Sequence, residues 1–96
     1  MEYLISYDIT TETPEGRRRL RRVAKVCEGF GQRVQQSVFE CALSPMNLDR
    51  LEAELLGVID DREDSVRIYR LREPRHRYVR ALGRQLVHDV HHPLVL

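Results

Sequence analysis

The sequence predicts an α+β fold in which one antiparallel sheet carries both helices on a single face. Three observations point to it. Residues 2–9 alternate between larger apolar and smaller or polar side chains, as a half-buried strand does. Two segments open on a capping residue followed by proline, Thr13-Pro14 and Ser44-Pro45, and continue with apolar residues at helical spacing. Strand-like stretches, residues 33–43 and 65–71, follow the two helices. The resulting order, β-α-β-β-α-β, is the split βαβ or ferredoxin-like arrangement.

In the first strand Tyr3, Ile5, Tyr7 and Ile9 point one way and suit packing under helices. Leu4, Ser6 and Asp8 point the other way, and that face ends in an acid. Thr13 caps the first helix, whose stripe is Leu20, Val23, Ala24 and Cys27, with Phe30 near its exit. Gly29-Phe30-Gly31 reads as a left-handed helix stop. Residues 33–43 fit one strand, or two short ones reversing near Gln36-Ser37. Leu48, Leu51, Leu55, Val58 and Ile59 form the buried stripe of the second helix. Asp60–Asp64 reads as a solvated acidic turn, and Ser65–Leu71 as the last clear strand. After Arg72 the pattern is open. Residues 78–82 suit a fifth strand, while Val79, Leu82, Leu86 and Val90 would equally line a helix.

At 96 residues the chain is one domain, small enough for oligomerisation to be a natural supplement to its core. Apolar runs are short, which predicts no membrane span and no signal peptide. Cys27 and Cys41 have no metal-type spacing. Two buried free thiols in a reducing cytoplasm are the expected reading, with a disulfide between them as the alternative.

The net charge of +1 hides two opposed blocks. Residues 14–33 hold seven basic and two acidic side chains, and residues 49–64 hold two basic and seven acidic ones, so the blocks carry +5 and −5. This segregation suggests one surface facing a polyanion and one acidic surface. Only Lys25 among the 16 basic residues is lysine, and arginine is the better bidentate phosphate ligand. On a helical wheel Arg17, Arg18, Arg21, Arg22 and Lys25 lie opposite the apolar stripe. Either they track a phosphate backbone or they form a solvated helix face.

Asp8 is the leading candidate for chemistry. It is either a hard-cation ligand at the sheet's open face or a cap for the turn that follows. One carboxylate makes a thin metal site, so further ligands have to come from elsewhere. His88, His91 and His92 have a spacing that can grip a transition metal on a helix, but they lie in a polar tail beside Pro93. There is no Gly-rich phosphate loop and no nucleophile elbow.

Tyr7-Asp8-Ile9 closes the first strand, an Arg-rich helix follows, and then comes Gly31-Gln32-Arg33-Val34-Gln35-Gln36-Ser37-Val38-Phe39-Glu40-Cys41. Together they resemble a CRISPR-associated family, the small adaptation protein that partners the CRISPR integrase. The likeness extends to Val66-Arg67-Ile68-Tyr69 and to the closing Pro93-Leu94-Val95-Leu96. It implies a ferredoxin-like core over residues 1–73, with residues 74–96 as a strand and tail that contact the partner of a two-fold homodimer. In that dimer Asp8 of each chain faces the other near the dyad and binds Mg²⁺. Residues 78–84 are implied as a fifth strand on the partner's sheet.

The resemblance also implies two roles. One is metal-dependent endonuclease activity on single-stranded RNA or double-stranded DNA, with Asp8 catalytic. The other is a bridge between integrase dimers that holds DNA during spacer acquisition. Arg17, Arg18, Arg19, Arg21, Arg22 and Arg33 are then the nucleic-acid ligands. Tyr7, Ser37 and Phe39 are candidates to position substrate, with burial the alternative for the two rings. The histidine tail receives no support from the family. A different class of reading is a toxin-like ribonuclease, or a small nucleic-acid-binding module, with no integrase partner.

Overall fold

The computed structural model describes residues 1–86. The elements are β1 (Glu2–Asp8), α1 (Pro14–Glu28), β2 (Gln32–Gln35), β3 (Val38–Ala42), α2 (Pro45–Leu56), β4 (Ser65–Leu71) and a short α3 (Arg75–Tyr78). The four strands form one sheet in the order β2-β3-β1-β4, antiparallel at each pairing. This is the ferredoxin-like arrangement. The stretch from Arg33 to Leu43 resolves into two strands reversing at Gln36-Ser37, with an irregularity between Arg33 and Gln35.

Both helices start where the sequence places them. Thr13 and Ser44 each accept a hydrogen bond from a first-turn backbone N–H, those of Gly16 and Asn47, and proline takes the first helical position. The end of α1 differs from expectation. Gly29 is right-handed, with φ −71°, and no left-handed cap forms at Gly29 or Gly31. Instead the N–H groups of Phe30 and Gly31 both donate to the Cys27 carbonyl, which tightens the last turn. Gly31 is needed for close approach: a Cβ there would run into the Glu40 carbonyl and the Cys41 sulfur.

The core lies between the sheet and the two long helices. Tyr3, Ile5, Tyr7 and Ile9 are all buried, as their alternation predicts, and meet Phe39, Cys41 and Leu43 from β3 and its exit. Val23, Ala24 and Cys27 of α1 and Leu51 and Leu55 of α2 close the layer. Fully buried side chains such as Ile5 and Leu51 each contribute about 1.5–3 kcal/mol relative to exposure. Cys27 and Cys41 are both free and buried.

The opposite face of the sheet carries neither long helix; toward one end it meets α3 through Arg75 and residues 79–85, which share a groove with Leu4, Val34 and Val38. Register places Leu4 between Glu40 and Tyr69, Ser6 between Val38 and Arg67, and Asp8 beside Ser65 on that face. The chain after β4 is tied to one end of it. Arg75 donates to Glu2 from its backbone N–H and pairs with the carboxylates of Glu2 and Glu40 at 3.2 and 3.0 Å. Tyr78 closes α3 and so is helical, which moves the start of any fifth strand beyond it. Val79 is extended, and no further element is assigned among the described residues. His88, His91, His92 and the closing Pro93–Leu96 lie outside the described residues.

Candidate catalytic and nucleic-acid site

Asp8 ends β1 as an exposed side chain on the open sheet face. An aspartate that caps its own turn takes the backbone N–H two residues on, here that of Thr10. That donor is already engaged: the Thr10 N–H donates to Asp64 Oδ1 at 3.2 Å. The turn is therefore held by Asp64, and the Asp8 carboxylate faces outward.

Asp64 corrects the reading of a solvated acidic turn. Its side chain is 0% exposed. It accepts from the Asp60 N–H at 2.9 Å and from Arg19 Nε at 2.8 Å, in addition to Thr10. Burial pushes its carboxyl upward, but the Arg19 guanidinium and the two backbone donors outweigh that and hold it below the ordinary carboxylate value. The same contact with Asp64 raises Arg19. Sequence reasoning missed Asp64 because its acidic neighbours hide it. The available signal was its place immediately before a strand, where a loop carboxylate can cap neighbouring N–H groups.

The remaining candidates separate by environment. Arg17, Arg18, Arg21 and Arg22 are exposed, with Arg17 reaching the Thr11 carbonyl at 3.1 Å. Arg18, Arg21, Arg22 and Lys25 line a groove between α1 and α2 that also touches Glu54. The acidic and basic blocks therefore meet there and at Arg19–Asp64, because α1 and α2 lie on the same side of the sheet. Arg33 is half-buried, with its guanidinium 5.2 Å from the Phe39 ring centre.

Phe39 is 0% and Tyr7 4% exposed, and their rings stack at 6.1 Å within the core. Burial raises the Tyr7 phenol, and Arg33 partly offsets the rise. Ser37 sits half-buried in the hairpin turn, its carbonyl accepting from the Tyr7 N–H at 3.1 Å. A second basic run begins in β4. Residues 67–84 hold seven arginines against Glu73 alone, and two of them, Arg67 and Arg72, lie over the exposed rings of Tyr69 and Tyr78.

Among the described residues no group of three or more His, Cys, Asp or Glu side chains is placed to hold a metal ion. One protomer thus offers a single hard oxygen donor at Asp8. One carboxylate is the minimum for Mg²⁺, which keeps several waters and binds through one or two carboxylates; a second protomer's carboxylate would complete the larger set.

Fold and site together define a ferredoxin-like α+β protein with an acidic strand end on its open face and an arginine-rich helix on the other. Residues 1–79 match the protein family described as CRISPR associated protein Cas2. The chain belongs to this family. It is 52% identical over 96 residues, the full length of both chains, to "CRISPR-associated endoribonuclease Cas2 1" of Moorella thermoacetica. It is 44% identical over 95 residues, 99% of each chain, to "CRISPR-associated endonuclease Cas2" of Halalkalibacterium halodurans. Among solved structures, Streptococcus pyogenes Cas2 superposes with a TM-score of 0.79 at 48% identity, over 86% of this chain and all of that one. Among the described residues no helix is long and apolar enough to cross a membrane.

Proposed function

We propose that the chain acts as a homodimeric endonuclease of CRISPR adaptation whose site is completed by the Asp8 carboxylates of two protomers. The observation that carries this reading is the outward Asp8, freed from turn capping by Asp64 and set on the sheet face opposite the two long helices. The face opposite the long helices exposes Tyr69 and is covered only in part, where residues 79–85 share a groove with Leu4 and Val38, so a second copy suits the remainder of that layer. Residues 1–73 form the core in this reading. Residues 74–96 reach the partner, with an added strand after Tyr78.

When bound, Mg²⁺ polarises the phosphodiester and lowers the pKa of a coordinated water. The protein's own residues do the rest. Asp8, with its counterpart in the second protomer, would hold the cation. Arg17, Arg18, Arg21 and Arg22 take the phosphate backbone of DNA or RNA and fix its register without reading bases. Arg33, stacked on Phe39, presents a guanidinium held in place by the core. The same cationic helices suit a bridging role, in which the dimer joins integrase dimers and holds the DNA to be inserted. The names of the relatives favour a CRISPR setting over a toxin-like ribonuclease.

The test is Asp8→Ala, assayed for cleavage, nucleic-acid binding and spacer acquisition. Cleavage is expected to vanish while binding persists. Acquisition that survives in the variant assigns the bridging role to the scaffold alone. Undiminished divalent-dependent cleavage by the variant refutes the site. Neutralising Arg18, Arg21 and Arg22 together is expected to flatten the salt dependence of binding, by roughly 0.9 in log–log slope per lost phosphate contact.

A further inference from the structure

Asp8 and Ser65 form the last rung of the β1–β4 ladder. Beyond a terminal rung a ladder frays unless something closes it. Here the closure is made by side chains. Thr10, two residues past Asp8, donates its N–H to Asp64 Oδ1 at 3.2 Å and its hydroxyl to the Glu63 carbonyl at 2.6 Å. Asp64 immediately precedes Ser65. The two chains leaving the rung are therefore stapled together one step beyond it. On its other side Thr10 is pinned by α1: a Cβ at Gly16 would run into the Thr10 carbonyl. Arg19, from the second turn of α1, reaches Asp64 Oδ2 with Nε at 2.8 Å and Oδ1 with a terminal nitrogen at 3.5 Å.

We propose that Arg19, Asp64 and Thr10 form a positioning device that fixes the Asp8 carboxylate for its shared site. The inference rests on the dyad reading of Asp8 and adds what holds that residue in place. It gives Arg19 a task distinct from its neighbours on α1. Arg18, Arg21 and Arg22 line the open groove, whereas Arg19 is committed to a carboxylate with no solvent exposure. An ion pair with one partner enclosed and the other partly exposed is a weak device for stability alone, since an apolar replacement of a buried pair is often at least as stable. Its geometric content is larger. Four N–H donors converge on one carboxylate, and each fixes the backbone or helix that bears it. A shared site makes that precision matter twice, because any displacement of the rung occurs in both protomers.

The experiment uses full-length protein and two readouts, with Mn²⁺ as the spectroscopic probe of the cation site. The first is amide hydrogen exchange at Asp8, Ile9, Thr10 and Ser65, compared with mid-strand Ile5. The second is Mn²⁺ affinity by electron paramagnetic resonance, with Asp8→Ala as the blank. Asp64→Asn is expected to speed exchange at the four end positions while sparing Ile5. It is also expected to weaken Mn²⁺ binding about tenfold, the usual scale for losing a residue that orients a ligand. Thr10→Val removes only the hydroxyl bond to Glu63, and it is expected to move both readouts the same way by less. It serves if Asp64→Asn does not fold. Unchanged end-rung exchange, or loosened exchange with wild-type Mn²⁺ affinity, overturns the inference and leaves the dyad site standing. Wild-type protein with no Asp8-dependent Mn²⁺ binding overturns the dyad reading and this inference with it.

Discussion

Replacing Phe39 by leucine decides whether its ring serves the core or a substrate. The side chain is 0% exposed, packs on Tyr7 at 6.1 Å and 28°, and lies under the Arg33 guanidinium at 5.2 Å. Leucine keeps most of the apolar volume but gives up the ring pair, worth about 0.5–1.5 kcal/mol. It also gives up the cation–π contact, worth about 0.5–1 kcal/mol at a partly exposed arginine. A small residual cavity adds to the loss. The expected cost is therefore about 1–3 kcal/mol, and in a domain of this size each kcal/mol lowers Tm by about 4–8 °C. Phe39→Ala should cost about 3–5 kcal/mol, a large share of the 5–15 kcal/mol typical of a domain. The assay is thermal and urea unfolding at fixed protomer concentration, since a dimer's apparent stability depends on it. Nucleic-acid affinity is measured alongside, below both melting points. A Phe39→Leu protein with wild-type stability and weakened binding would place the ring on the substrate and refute the core assignment.

Stability should fall on acidification through Asp64. Its folded pKa lies below its ordinary value of 3.8, so its contribution is present above that value and is lost as pH falls from there through the folded pKa. The urea midpoint between about pH 5 and about pH 2 should therefore fall more steeply in wild type than in Asp64→Asn; equal slopes would contradict the assignment. Burial pushes the Cys27 thiol up to about 12 and the Cys41 thiol up to about 11. Both should resist a thiol reagent near neutral pH in the native state and react once urea unfolds the chain, whereas rapid native labelling would show that one of them is accessible. Gly16→Ala should destabilise by about 1–3 kcal/mol through the clash with the Thr10 carbonyl, although alanine is the better helix former. A rise in Tm would show that the helix and loop are not in close approach.

Much of the fold is local and was therefore legible. Alternation in residues 2–9 assigns each side chain of β1 to its face, and the burial pattern follows it. The two cap-proline pairs start both long helices at the predicted residues. The misreadings share a cause, which is that the decisive contact lies far away in sequence. Gly31 looks like a helix stop when only its neighbours are considered, yet its reason is the Glu40 carbonyl arriving from β3. The segment after Tyr78 is a separate case: it suits either period, and its own sequence holds no ladder partner that would decide between them.

The candidate site follows the same division. Asp8 was legible because an acid that closes an apolar strand stands out against its surroundings. Asp64 was not, because it sits among Asp60, Asp61 and Glu63, and composition gives all four the same description. Burial separates them. One carboxylate is enclosed and takes its counter-charge from Arg19, while Asp61 and Glu63 stay exposed. The opposed charge blocks thus acquire a physical meaning that their sums alone do not have. They meet where α1 crosses the loop before β4, and one ion pair joins them there. Enclosing Asp64 ties up the N–H that Asp8 would otherwise cap, so the acid that structures the turn leaves the Asp8 carboxylate exposed. One carboxylate is enclosed and the other exposed, and a contact spanning 54 residues of chain makes the difference.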